Sequence, residues 1–121
     1  MTVASPSPLR AVRREALGGA SQGWAPTLRR HLVAMDALVR ARGARMVLLT
    51  YPFHQPEVEA VQRAVASELS LPIVDVRPTF DRLVAADGRA RWFVPDGHCN
   101  DAGYAQIAEL AAPVVAAALR R

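Results

Sequence analysis

The chain of 121 residues contains one cysteine, Cys99, and no lysine. A single cysteine cannot form an internal disulfide bond, so nothing in the sequence indicates an oxidising compartment. No apolar run approaches the roughly 18 residues of a membrane span, and the apolar C-terminal segment is interrupted by Glu109 and Pro113. The apolar runs near the amino end are too short for the hydrophobic region of a signal peptide. These absences predict a soluble, cytoplasmic protein that does not enter a membrane.

The charged residues are unbalanced toward arginine. All 15 basic residues are arginine and 11 residues are acidic, and the net charge of +4 raises the question of a nucleic-acid partner. The arginines, however, are scattered along the chain in short groups without aromatic residues among them, which favours a solvated basic surface. We therefore predict no nucleic-acid partner.

Composition divides the chain into two parts. Residues 1–23 are rich in Pro, Ser, Gly and Arg and are expected to be a flexible N-terminal lead-in. Residues 24–121 carry the apolar periodicity of one small folded domain, in a chain that is 51% hydrophobic and 21% charged.

Helical and extended patterns alternate along the folded part. Apolar residues at helical spacing predict helices over residues 27–42, 56–69 and 79–86. Between them, residues 45–51 and 72–76 are short apolar runs typical of strands, and the first reads as a strand buried on both faces. A fourth helix is expected after residue 100. The order predicts an α/β fold with a parallel sheet of about two strands and three to four helices.

The predicted sheet is incomplete. A strand as apolar as the first one needs neighbours on its edges, and only one other strand is evident in the sequence. Either further strands come from outside this sequence, or another chain covers the edge.

The loop before the last helix is the only segment with a pattern typical of catalysis. It places Asp96 two residues before His98, with Asn100 in position to cap the helix. A histidine in such a loop is held by its backbone without being buried, so its ring can face a cleft and transfer protons.

Three segments resemble the C-terminal half of the SGNH (GDSL-type) hydrolases: residues 41–52, 71–76 and 96–104. The resemblance implies an incomplete flavodoxin-like, three-layer α/β/α fold and the hydrolysis of carboxylic esters. It also implies that His98 is the general base for a serine nucleophile and that Asp96 orients the imidazole. In the same comparison, Gly97 and Asn100 look like loop-shaping residues.

The chain departs from the family pattern at two points. The family commonly places the acid three residues before the histidine, whereas Asp96 precedes His98 by two. No Gly-Asp-Ser block, which would carry the nucleophile, and no Gly-x-Asn-Asp block, which would supply oxyanion donors, occurs in the sequence. We therefore expect the chain to be the C-terminal part of such an enzyme and inactive by itself. A small-molecule ester is the expected substrate once the missing N-terminal half completes the enzyme.

Each of these residues also has a simpler interpretation. The Asp96 and His98 pair can merely stabilise the start of a helix. Tyr51, Phe53 and His54 follow a predicted strand, so they either line a substrate pocket or pack as part of the core. The spacing of Cys99 to the neighbouring histidines matches no closed zinc site, so we predict no metal and no cofactor, and a small buried Cys99.

Two functions are compatible with this pattern. The first is the His/Asp-bearing region of an SGNH-type ester hydrolase. The second is a non-catalytic α/β domain that pairs its open sheet edge with a partner chain or with itself.

Overall fold

The computed structural model describes residues 23–120, and the predicted lead-in, apart from Gly23, lies outside the described residues. A short 3₁₀ turn, Arg89–Arg91, precedes the last helix. The other elements alternate as α1 (Trp24–Ala41), β1 (Leu48–Leu49), α2 (Pro56–Leu69), β2 (Ile73–Val74), α3 (Arg77–Asp87) and α4 (Asp101–Leu119). The described chain is mixed α/β and mostly helical, which confirms the predicted fold class at this level.

The two strands form one parallel sheet, as predicted. Leu48 lies opposite Ile73 and Leu49 opposite Val74. The N–H of Leu48 donates to the carbonyl of Pro72, directly before β2, and the N–H of Thr50 donates to that of Val74, both at 3.0 Å. Because alternate residues of a parallel strand bond to opposite sides, the N–H of Leu49 points to the other edge of β1. Within residues 23–120 no strand pairs with that edge.

Helices pack against both faces of the sheet, because successive strand residues point to opposite sides. On the face of α1 and α2, one core contains Leu32, Leu48, Val65, Ala66 and Leu71. On the face of α3 and α4, a second core contains Val74, Val76, Phe80, Trp92, Phe93 and Cys99. Burial of these apolar side chains, worth about 1.5–3 kcal/mol for each large one, holds the two helical layers to the strands.

Two helices begin earlier than predicted. Helix α1 starts three residues before residue 27, and α3 starts two residues before residue 79. In both cases a proline, Pro26 or Pro78, lies in the added first turn. Proline is accepted there because the first N–H groups of a helix have no intrahelical partner. Helix α2 begins at Pro56, as predicted.

The prediction for the first strand was wrong in length and in burial. Only Leu48 and Leu49 form β1, and Leu49 is 38% exposed whereas Leu48 is buried. The contacts of α4 with the sheet lie mainly on β2, and Leu49 stays exposed beside them. The strand is therefore buried on one face only.

Helix α4 begins at Asp101, directly after residue 100 as expected, and continues to Leu119. It runs through Pro113, which was expected to interrupt the apolar segment. By length and composition alone, it is the one helix among the described residues that could cross a membrane, although one side, including Ile107 and Val114, packs against the core. Cytoplasmic localisation and the absence of a membrane partner therefore stay predictions.

Polar contacts fix the carboxyl ends of both strands. The hydroxyl of Thr50 accepts hydrogen bonds from the N–H groups of Val76, at 2.9 Å, and Arg77, at 3.3 Å. The buried carboxylate of Glu59 forms an ion pair with Arg77 and lies 3.8 Å from the guanidinium of Arg63. A buried carboxylate needs such partners because its desolvation is costly. These contacts set the position from which the loop after Thr50 leaves the sheet.

Candidate active site

The loop that contains Asp96 and His98 is anchored to the start of α4 by Asn100. Its side-chain oxygen accepts a hydrogen bond from the N–H of Gly103 at 2.9 Å, so Asn100 caps the helix as predicted. Its amide nitrogen donates to the carbonyl of Arg91 at 3.1 Å, and its backbone N–H donates to Trp92 at 3.0 Å. One side chain therefore joins the helix to the segment that precedes the loop.

The loop itself is a tight hairpin. Phe93 and Cys99 pair as an antiparallel bridge, and the N–H of Val94 donates to the carbonyl of His98 at 2.9 Å. Gly97 closes the turn with a φ of +96°, a conformation that residues with a side chain rarely adopt. The hairpin turns the side chains of Asp96 and His98 toward each other.

Asp96 and His98 form a hydrogen-bonded pair. One carboxylate oxygen of Asp96, Oδ1, lies 2.9 Å from Nδ1 of the His98 ring and accepts the backbone N–H of His98 at 3.0 Å. A carboxylate only accepts, so the Nδ1 atom carries the proton, and in the neutral form of the ring Nε2 then keeps a free lone pair. The shorter spacing in the sequence therefore still allows the contact that orients the ring.

Both members of the pair face solvent. The side chain of His98 is 76% exposed and that of Asp96 is 69% exposed. The backbone N–H of His98 and then its ring hold the pKa of the Asp96 carboxyl below its ordinary value of 3.8. An exposed ion pair contributes little to stability, so this pair adds more to the geometry of the loop than to the stability of the fold.

We expect Asp96→Ala to change the tautomer of His98. Without the carboxylate, the proton is no longer held on Nδ1, and the ring should shift toward the Nε2–H form. Long-range ¹H–¹⁵N correlation spectra of the ring distinguish the two forms. An unchanged tautomer in the variant would show that Asp96 does not orient the ring.

In the unmodified chain, the Asp96 contacts should persist above pH 3.8 and be lost only as the pH falls through the lowered pKa, because the native state favours the charged carboxylate.

The pair opens onto a cavity of about 520 Å³. This volume is in the range of small-molecule sites. The lining residues come from the loop after β1, the 3₁₀ turn, the hairpin and the first turns of α4: Tyr51, Pro52, Phe53, Arg89, Asp96, Gly97, His98, Cys99, Tyr104 and Ile107.

Most of the residues singled out in the sequence meet at this cavity. Tyr51 and Phe53 line it, with ring centroids 5.3 Å apart, whereas the exposed His54 does not. Cys99 is buried as expected, and its burial raises the pKa of the thiol. No group of acidic, histidine or cysteine side chains within residues 23–120 is arranged to hold a metal ion.

Five lining residues were not proposed as site residues from the sequence: Pro52, Arg89, Cys99, Tyr104 and Ile107. Tyr104 and Ile107 lie three residues apart on the first turns of α4, so they share one face of the helix, and this spacing was available as a signal. Arg89 had no such signal, because it reaches the cavity through the 3₁₀ turn, where the N–H of Phe93 donates to the carbonyl of Arg89.

Comparisons with protein-family models, with curated proteins and with solved structures found no match. Nε2 of His98 can accept a proton, and Asp96 can stabilise the resulting imidazolium. No serine or threonine lines the cavity, and the buried Cys99 thiol is held in its protonated form. The described residues thus supply a base and its orienting acid without an activated nucleophile.

Proposed function

We propose that residues 24–120 are the C-terminal half of an SGNH-type ester hydrolase, with the incomplete flavodoxin-like α/β/α architecture of that family. The proposal rests on one observation above all: the Asp96–His98 pair is formed, and it opens onto a small-molecule cavity next to the loop that follows β1. In α/β folds with parallel strands, working side chains gather at the carboxyl ends of the strands. The position of Tyr51 and Phe53 directly after β1 supports this interpretation.

In the proposed reaction, a serine of the N-terminal half attacks the carbonyl carbon of an ester. Nε2 of His98 takes the hydroxyl proton during the attack and then gives it to the departing alcohol, while Asp96 stabilises the imidazolium. A water molecule repeats the sequence on the acyl-enzyme, releasing the acid and regenerating the serine. No metal or organic cofactor is required.

The exposure of the Asp96–His98 pair supports the proposal that an N-terminal half completes the active site. An active site works by excluding water, because electrostatic interactions are stronger in a dry site. The large exposed fractions of His98 and Asp96 place the pair at a surface that the described residues leave open. The edge of β1 that no strand of residues 23–120 pairs with, where the Gln62 side chain donates to the Leu49 carbonyl at 2.9 Å, is where further strands of the sheet would continue.

A second candidate function is an α/β interaction domain without catalysis. The unpaired edge of β1 beside the exposed Leu49 favours it, because open strand edges pair readily with other chains. Such a domain would bind a partner chain, or a second copy of itself, through the edge of the sheet, and the Asp96–His98 contact would serve only to shape the hairpin.

One experiment separates the two functions. The reading frame that precedes the chain in its genome is joined to it, and the resulting extended chain is assayed with p-nitrophenyl acetate. We expect an in-frame Gly-Asp-Ser block in the added segment and turnover by the extended chain. The 121-residue chain alone should hydrolyse the ester no faster than its own His98→Ala variant.

Either of two outcomes would contradict the hydrolase proposal. The first is the lack of a Gly-Asp-Ser block in the preceding frame, and the second is an extended chain that folds without turnover. A folded, inactive chain that associates through the β1 edge in sedimentation experiments would instead favour the interaction domain.

A further inference from the structure

The cavity beside His98 contains one arginine, Arg89, whose charge is not neutralised. Its guanidinium lies over the ring of Phe93, 4.9 Å from the centroid. Other arginines of the described chain, such as Arg63 and Arg77, form ion pairs with carboxylates. No ion pair joins Arg89 to a carboxylate of residues 23–120. A cation is thus held in a cavity that it shares with Asp96 and His98 and whose remaining walls are largely aromatic and aliphatic.

The guanidinium is placed next to the Asp96–His98 hairpin. A Cβ atom added to Gly97 would lie 3.4 Å from an Nη atom of Arg89, so the missing side chain of Gly97 leaves room for the arginine. The Oδ1 atom of the nearby Asp96 is already engaged by the backbone and ring of His98. Arg89 therefore lies beside the carboxylate without pairing with it.

Arg89 lies over the ring of Phe93 and is exposed, which leaves its hydrogen-bond donors available. A guanidinium that packs its flat face on an aromatic ring keeps its N–H groups directed outward in its own plane. Those donors match the two oxygens of a carboxylate in a bidentate contact. The aromatic ring of Phe93 also holds the side chain in place, which lowers the entropy lost on binding.

We propose that Arg89 binds a carboxylate carried by the substrate, so that the cavity selects esters with a second, anionic end. This inference deepens the proposed function and rests on it in one respect, namely that the bound ester is a substrate. The binding preference itself is a property of the chain as it stands. Its substrate class is the half-esters of dicarboxylic acids and similar esters that bear a free carboxylate.

The test compares two probes that differ only in charge. Monomethyl succinate carries a carboxylate, and dimethyl succinate is its neutral counterpart. Each is titrated into the labelled 121-residue chain at pH 7 and low salt, and the side-chain signals of Arg89 and His98 are followed by NMR. We expect about fivefold tighter binding of the monoanion, and a loss of this difference at high salt, because partly exposed charge pairs are screened.

Two variants identify the residue responsible. Arg89→Gln should bind both esters equally, and its backbone contacts to Trp92 and Phe93 do not involve the substituted side chain. Arg91→Gln is the matched control, because Arg91 belongs to the same 3₁₀ turn and stacks 4.7 Å from the centroid of Trp92, yet does not line the cavity. This control should keep the fivefold preference.

Equal affinity of the unmodified chain for the two esters would overturn the inference without any variant. A preference that survives Arg89→Gln, or that Arg91→Gln removes as fully, would overturn it as well. These results are distinguishable from failure of the proposed function. An extended chain that hydrolyses esters through His98 but binds both esters equally would support the hydrolase and contradict the carboxylate site. An extended chain that prefers the monoanion but shows no turnover would support the carboxylate site and contradict the hydrolase.

Discussion

His98→Ala in the extended chain is expected to lower kcat/KM for p-nitrophenyl acetate by about a thousandfold, which is the middle of the range for loss of a general base. The reason lies in the geometry of the pair. Oδ1 of Asp96 lies 2.9 Å from Nδ1 of His98 and accepts its proton, so Nε2 is the ring atom left to take the serine proton. Without the imidazole, the serine hydroxyl must lose its proton to water. Steady-state kinetics of the purified variant measure the effect.

His54→Ala is the matched control for this prediction. His54 is also exposed and follows the same strand as Tyr51 and Phe53, but it does not line the cavity. The control should retain the activity of the unmodified extended chain. Equal losses of kcat/KM in the two variants would mean that replacing any exposed histidine lowers the activity. An unchanged kcat/KM in His98→Ala would remove His98 from the mechanism.

Gly103→Ala is expected to destabilise the described domain by about 3 kcal/mol, at the upper end of the usual cost of overpacking. Helix propensity alone predicts the opposite, a gain of about 1 kcal/mol, because alanine is the better helix former. Packing decides the outcome here. A Cβ atom at Gly103 would lie 2.3 Å from the carbonyl oxygen of Trp92 and 2.9 Å from Cβ of Cys99.

The loss should be visible as a lower free energy of unfolding in urea, measured on the 121-residue chain. Ala105→Gly, at an exposed position of the same helix, is the control for propensity and should cost about 1 kcal/mol. Cys99→Ala should not rescue the variant, because the clash with the Trp92 carbonyl would remain. A Gly103→Ala protein as stable as the unmodified chain would show that the hairpin can move away from α4.

The Asp96–His98 contact could be predicted from the sequence because it is local. Two residues in one loop, followed by the capping residue Asn100, meet whatever the rest of the fold does. The parallel pairing of the two strands was also predictable, because the alternation of helices and strands leaves few other topologies.

What the sequence did not predict depends on contacts between distant residues. The apolar pattern around Leu48 and Leu49 is that of a buried strand, but burial requires a neighbour, and α4 lies over β2 instead. The place of Arg89 in the cavity depends on the 3₁₀ turn and on the packing of Phe93, neither of which leaves a periodic pattern. The exclusion of His54 from the cavity has the same origin, since a position after a strand does not set the direction of a side chain.

The hairpin has one further property, which concerns how the protein folds. Every hydrogen bond that shapes it joins residues between Arg89 and Gly103, and the most distant pair, Asn100 and Ala90, is separated by 10 positions. Closing such short loops carries a small entropic cost and is fast, on the order of 10–100 ns for a 10-residue loop. The hairpin that carries Asp96 and His98 can therefore assemble early and without long-range pairing.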